Sequence, residues 1–136
     1  MTTEVELAVT GLVTRRSAHD VAETISAIHA EAERRGATVV AVVDHAASAR
    51  KAGLTMPETQ VIIFGNPRAG TALMQASPDI AIDLPLRVMV RDDGHPGSLV
   101  SWQDPAYVLQ RYGLGEDQGT PLNVPAAVAT AVLDGR

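Results

Sequence analysis

The chain has 136 residues, 46% of them hydrophobic and 20% charged, with a formal net charge of -5; this balance suits one folded domain and excludes a disordered chain. The lack of cysteine excludes disulfides, thiolate metal sites and cysteine nucleophiles. The 11 Lys and Arg residues are dispersed, which argues against the basic face that nucleic acid demands.

Val5, Leu7 and Val9 alternate with Glu4, Glu6, Ala8 and Thr10, the period of a strand with one wet face, and Gly11 permits a bend or bulge. The same N-terminal stretch lacks the basic region and long apolar run of a signal peptide, and no window approaches the roughly 18 apolar residues of a membrane span. The expectation is a cytoplasmic protein with no membrane partner. Residues 17–20, Ser-Ala-His-Asp, match a capping box with Asp in the usual Glu position. Val21, Ile25, Ile28 and Ala32 then share one helical stripe. Glu31 and Arg35 form an i,i+4 pair, and Gly36 stops the helix.

Residues 38–43 are a short β-branched run, as in a central strand. Asp44 caps a brief helix through Ala52, with Gly53 at its end. Residues 60–64 form another central strand. The stretch from Val61 to Val90 is the most informative part of the chain. In it a strand runs into Asn66-Pro67, a helix follows to Ala76, and Pro78 restarts the chain. Asp83-Leu84-Pro85 then leads into a strand in which Leu86, Val88 and Val90 alternate with Arg87, Met89 and Arg91. Residues 92–97 read as a turn and 99–102 as the returning strand of an antiparallel hairpin. Asp104-Pro105 opens a helix with Asp at N-cap and Pro at N1; Gly113 closes it. Residues 114–121 form a loop and 125–133 an Ala-rich terminal helix. No repeat or linker divides the chain, so residues 1–136 read as a single domain. A strand pair joined by a helix suggests a parallel crossover and the hairpin an antiparallel part. The expected fold is α/β, α+β-like: a two-layer domain with a mixed sheet of about five strands and helices mainly on one face.

Asp44-His45, Ala49 to Gly53, the Gly65-Asn66-Pro67-Arg68 run ending in Thr71, Asp83-Leu84-Pro85 and Asp104-Pro105 together resemble the domain of unknown function 302 family. The resemblance covers about residues 7–114. It implies a two-layer α/β domain that tends to dimerise, and it implies no reaction. Two positions depart from the family pattern. Trp102-Gln103-Asp104-Pro105 stands where an aromatic residue and Asn-Asp-Pro are common, and Arg111-Tyr112-Gly113 stands where Arg-His-Gly is common. A tyrosine, titrating near about pH 10 when free, replaces a histidine poorly as a base.

Asn66-Pro67 is a strong helix start. Pro67 lacks the amide that would be orphaned, and the Asn66 side chain accepts from first-turn N–H groups. Arg68, Gly70 and Thr71 extend this into a candidate anion or ligand site, although the segment lacks the Gly-Lys-Ser/Thr ending of a P-loop. His45 follows a central strand at a helix start, where α/β sites gather; it is a candidate ligand contact or general base. Asp83 is a candidate acid or orienter, weighed against an Asp that caps a turn or pairs with Arg68 or Arg87. Trp102 is either a pocket wall, a dimer face or core. His45, His19, His29 and His95 lack metal-ligand spacing, so no metal or cofactor is expected. The leading expectation is a homodimeric binding module for a small anionic or amphipathic ligand near His45 and the 65–71 turn. Its rivals are a hydrolase or lyase with His45 as base, and a structural interaction domain. The ligand reading further expects His45 and the Asn66 turn on one pocket wall, which requires their strands to be parallel.

Overall fold

Stiff, β-branched side chains pack best on a pleated surface, and the runs rich in them form the sheet. The computed structural model describes residues 9–135. Its strands are β1 (Leu12–Ser17), β2 (Thr38–Asp44), β3 (Thr59–Gly65), β4 (Leu86–Arg91) and β5 (Ser98–Gln103). They assemble in the order β1-β5-β4-β3-β2, every neighbouring pair antiparallel. The two-layer architecture and five strands agree with the sequence reading; the mixed sheet does not. β2 and β3 were expected as parallel neighbours and are antiparallel. The reason is length. The intervening helix α2 (His45–Lys51) has 7 residues and spans roughly 10 Å, while the return along β2 covers roughly 20 Å. Such a helix packs at the strand ends, and the chain reverses there.

The expected strand around residues 4–10 lies almost wholly outside the described residues. Within them β1 begins after Gly11, whose φ is +83°; a side chain at Gly11 would collide with the Tyr107 ring. β1 persists through Ser17, which pairs with Ser98, and this displaces the expected helix start. The N-cap of α1 (Val21–Arg34) is Asp20, which accepts from the Glu23 amide at 2.8 Å. Ser17 instead bonds Thr24 Oγ1 at 2.8 Å. The capping-box spacing was present, but strand pairing claimed its first residue.

Alternation along β3, β4 and β5 places Ile62, Phe64, Val88, Val90, Val100 and Trp102 on one sheet face. The α1 stripe of Val21, Ile25, Ile28 and Ala32 covers that face together with Val128 and Ala129 of α5 (Val124–Leu133). A smaller core joins Leu73 of α3 (Pro67–Ala76), Ile80 of the 3-10 helix Pro78–Asp83, Val108 of α4 (Pro105–Tyr112) and Leu122 of the 3-10 helix Thr120–Asn123. The β4–β5 hairpin forms as expected. Its turn ends at Gly97, φ +82°, where a Cβ would sit 2.0 Å from the Ser17 carbonyl oxygen; only glycine lets the turn close onto β1.

Candidate functional site

The two cores do not merge. Between them runs a groove of about 610 Å³, within the range of small-molecule sites. Phe64 and Leu86, at the end of β3 and the start of β4, contribute from the sheet, and α3 forms one wall through Ala69, Gly70, Leu73 and Met74. Leu84 and Pro85 border it, as do Pro121 and Val124 ahead of and within α5. The α1–β2 connection brings Arg35, Ala37 and Thr38 to it. Among the described residues Arg35 is the single charged one in this lining.

Local sequence explains the α3 wall. Asn66 has extended φ/ψ, and its Oδ1 accepts from the amides of Arg68 at 3.0 Å and Ala69 at 3.4 Å. Thr71 Oγ1 donates to the Pro67 carbonyl at 2.7 Å, and the Gly70 amide to the Asn66 carbonyl at 2.8 Å. The first turn of α3 is thus satisfied by its own residues. Asn66, Gly70 and Thr71 line the groove; the exposed Arg68 does not. What the α3 terminus presents to the groove is mostly hydrocarbon.

His45 is elsewhere. Thr38 pairs with Gly65 while Asp44 pairs with Gln60, so the chain enters α2 at the opposite end of β2 from Asn66, roughly 20 Å away along the strand. The expected common pocket wall is therefore corrected, because it depended on parallel strands. The exposed His45 opens α2, where Asp44 accepts from the Ala47 amide at 2.9 Å. Trp102 is 4% exposed within the main core.

Asp83 has a third location. Its carboxylate accepts the Tyr112 hydroxyl in a short hydrogen bond and lies 3.7 Å from Arg111 Nη1. Arg68 and Arg87 were the expected partners; the Arg111-Tyr112 pair of α4 takes their place. Accepting that hydrogen bond, the carboxylate raises the Tyr112 pKa, and burial adds to the effect. Beside Asp83 there is a cavity of about 10 Å³ bounded by Val108, Leu122 and Pro125, room for one water at most. Among the described residues no three His, Cys, Asp or Glu side chains gather as a metal set.

The sequence reading missed Arg35, Thr38, Leu84 and Val124 as groove residues. Arg34-Arg35 stands out as an adjacent basic pair and Leu84 as part of Asp-Leu-Pro, but neither pattern reveals that α1 and α5 meet α3 across a gap. Arg35 is held in place locally. Glu31, 8% exposed, accepts from Arg34 Nε at 3.0 Å, Arg34 Nη2 at 2.6 Å and Arg35 Nε at 2.6 Å. The Arg34 and Arg35 bonds hold the Glu31 carboxyl down at about 2.

A two-layer domain with a five-stranded antiparallel sheet and a groove between two cores defines the class. The family model described as "Domain of unknown function DUF302" matches residues 13–130, and the chain belongs to that family. The crystal structure of an uncharacterized conserved protein DUF302 from Bacillus stearothermophilus superposes with a TM-score of 0.73 at 14% identity, covering 93% of this chain and 98% of that one; the likeness shows the fold. A protein of Brucella suis named "Fluoride-specific ion channel FluC 1" is 48% identical over 105 residues, 77% of this chain and 41% of that protein. The Brucella abortus protein of the same name is also 48% identical, over 39% of its length. This chain thus spans about two fifths of the curated relatives it matches. No helix among the described residues is long and apolar enough to cross a membrane.

Proposed function

We propose that this domain is a non-catalytic binding module for a small amphipathic ligand. The 610 Å³ groove carries the reading: a concavity of this size, bordered by aliphatic side chains with a few polar groups at its margins, is the form small-molecule sites take. Among the described residues no His, Asp or Glu lines it. His45 is at the far end of β2 and Asp83 is engaged by Tyr112, which favours binding over the hydrolase or lyase alternative. Native mass spectrometry of protein purified from its own host tests the reading; the expected result is a retained small mass. Protein with no retained mass that also fails to brighten the neutral apolar probe N-phenyl-1-naphthylamine would sink it.

The module is proposed to work as a homodimer. β2 is an edge strand with Val40 60% exposed and Val42 40% exposed, and unpaired edges of this kind invite a second strand. A further reading follows from the 48% identity over 105 residues to proteins named as fluoride-specific ion channels: the module serves fluoride handling as an accessory domain. Deleting it from its host and measuring growth in fluoride distinguishes the two, since unchanged tolerance would leave the general ligand module alone.

A further inference from the structure

Gly70 is an anomaly in α3. Glycine inside a helix costs roughly 1 kcal/mol relative to alanine, and it is normally retained where φ is positive or where a neighbour leaves no room for a Cβ. Neither holds here. Gly70 is a helical residue outside the set of positive-φ glycines, and a Cβ built on it meets only Leu84 Cδ1 at 3.9 Å, an ordinary contact. Nothing in the fold requires the missing side chain, and the place where it is missing is the groove wall. Ala69, beside it, keeps that wall low.

The charge distribution points to the other end of the ligand. Arg35 is the only ionic group in the lining among the described residues, and the hydrogen bond to Glu31 engages its Nε. A guanidinium has further N–H donors, arranged to meet a carboxylate. Glu31 is shared between two arginines, Arg34 and Arg35, and the acidic Glu33 beside them turns to His29, so no acidic residue stands with Arg35 in the lining among the described residues. The hydroxyl of Thr38 adds a neutral donor nearby.

Resting on the binding-module reading, we propose that the ligand is a free medium-chain aliphatic carboxylate, its head group on Arg35 and its chain lying against the bare backbone face of α3 at Gly70. An aliphatic chain suits walls built from Leu, Met, Val, Ala and Pro, with Phe64 the only aromatic residue among those described. A cationic amphiphile would meet Arg35 with like charge.

The experiment is displacement of N-phenyl-1-naphthylamine from the full chain by decanoate and by decyltrimethylammonium, both below their micelle concentrations. Decanoate is expected to compete at least tenfold better than the cation. Arg35→Gln should erase that preference, whereas Arg34→Gln, which also frees Glu31 of one partner but lies outside the lining, should keep it. Gly70→Ala should raise the melting temperature yet weaken decanoate binding several-fold, and Gly70→Leu should abolish probe and decanoate binding with an unchanged circular dichroism spectrum. Equal competition by the two amphiphiles, or equal loss in the two arginine variants, overturns the head-group assignment while leaving the groove as a site. A Gly70→Leu protein that binds decanoate as the parent does overturns the place of the chain. No binding of the neutral probe at all overturns this proposal, and together with no mass retained from the host it overturns the binding-module reading as well.

Discussion

Two side chains at helix boundaries make testable claims about their own energetics. Asn66 satisfies the Arg68 and Ala69 amides, so Asn66→Ala is expected to cost on the order of 1 kcal/mol in denaturant unfolding. Asn66→Asp should be nearly neutral, since a carboxylate caps equally well and favours the helix dipole. An Asp variant less stable than the Ala variant would contradict capping as the role of this residue. Tyr112 belongs to the other kind, a residue whose partner lies in a different element. Because Asp83 accepts its hydroxyl, ionising Tyr112 would set two negative charges together, and its pKa is raised. Spectrophotometric titration of the folded protein should therefore show a tyrosine component on the alkaline side of about 10, a free phenol's value, and Tyr112→Phe should remove it. A titration unaltered by that substitution would refute the link. In this chain Tyr112 thus forms a hydroxyl-to-carboxylate clasp between α4 and the Asp-Leu-Pro segment.

At the scale of an element, the C-terminal turn of α1 is the clearest case of charge organisation. Glu31 binds Arg34 and Arg35, and its pKa falls from 4.5 to about 2. A folded-state pKa lowered in this way gives stability that is fully present above the unfolded value and lost as pH falls through the folded one. Urea unfolding measured from pH 5 to pH 2 is expected to show stability falling, and the Glu31→Gln protein should show a shallower fall over the same window. Parallel curves for the two proteins would mean that the arginines do not act through Glu31. Elements also show where local patterns were sufficient. The α1 stripe, the Asp44, Asn66 and Asp104 caps, the β4–β5 hairpin and the Gly113 terminus all follow from neighbours a few residues apart. Ser17 is the instructive exception: its capping-box spacing was correct, but pairing with Ser98, distant in sequence, held it in β1.

For the whole molecule, the antiparallel sheet leaves β1 and β2 as edges among the described residues, and β2 carries the exposed Val40 and Val42. Val40 lies at the register shift between Val39 and Ala41; such bulges bend an edge away from unwanted partners. The proposed dimer therefore uses the regular part of β2 beyond the bulge. Sedimentation of the native protein at micromolar concentration is expected to give a dimer, and Val42→Lys, a charge placed on that edge, should give a monomer with the same circular dichroism. A parent protein that sediments as a monomer, whatever the salt concentration, would refute the dimer outright.

Residue types and short spacings by themselves determined most of the strands and helices, though not β1 at Leu12–Ser17, which the alternation placed before Gly11; they also determined where most helices begin and end, that the fold has two layers, and that the 65–71 turn is a helix cap. Each of these depends on interactions spanning a few residues, and the physics that governs them is written in neighbouring side chains. Tertiary structure alone decided the strand directions, and with them the fate of the candidate site. Antiparallel pairing of β2 with β3 sent His45 to one end of the sheet and Asn66 to the other. The approach of α1 and α5 to α3 placed Arg35 and Val124 on a groove that no local pattern encodes. Hydrophobic alternation is identical whichever way a strand runs, so it carries no sign of direction; that sign came from how far a seven-residue helix can reach and from which apolar faces found each other.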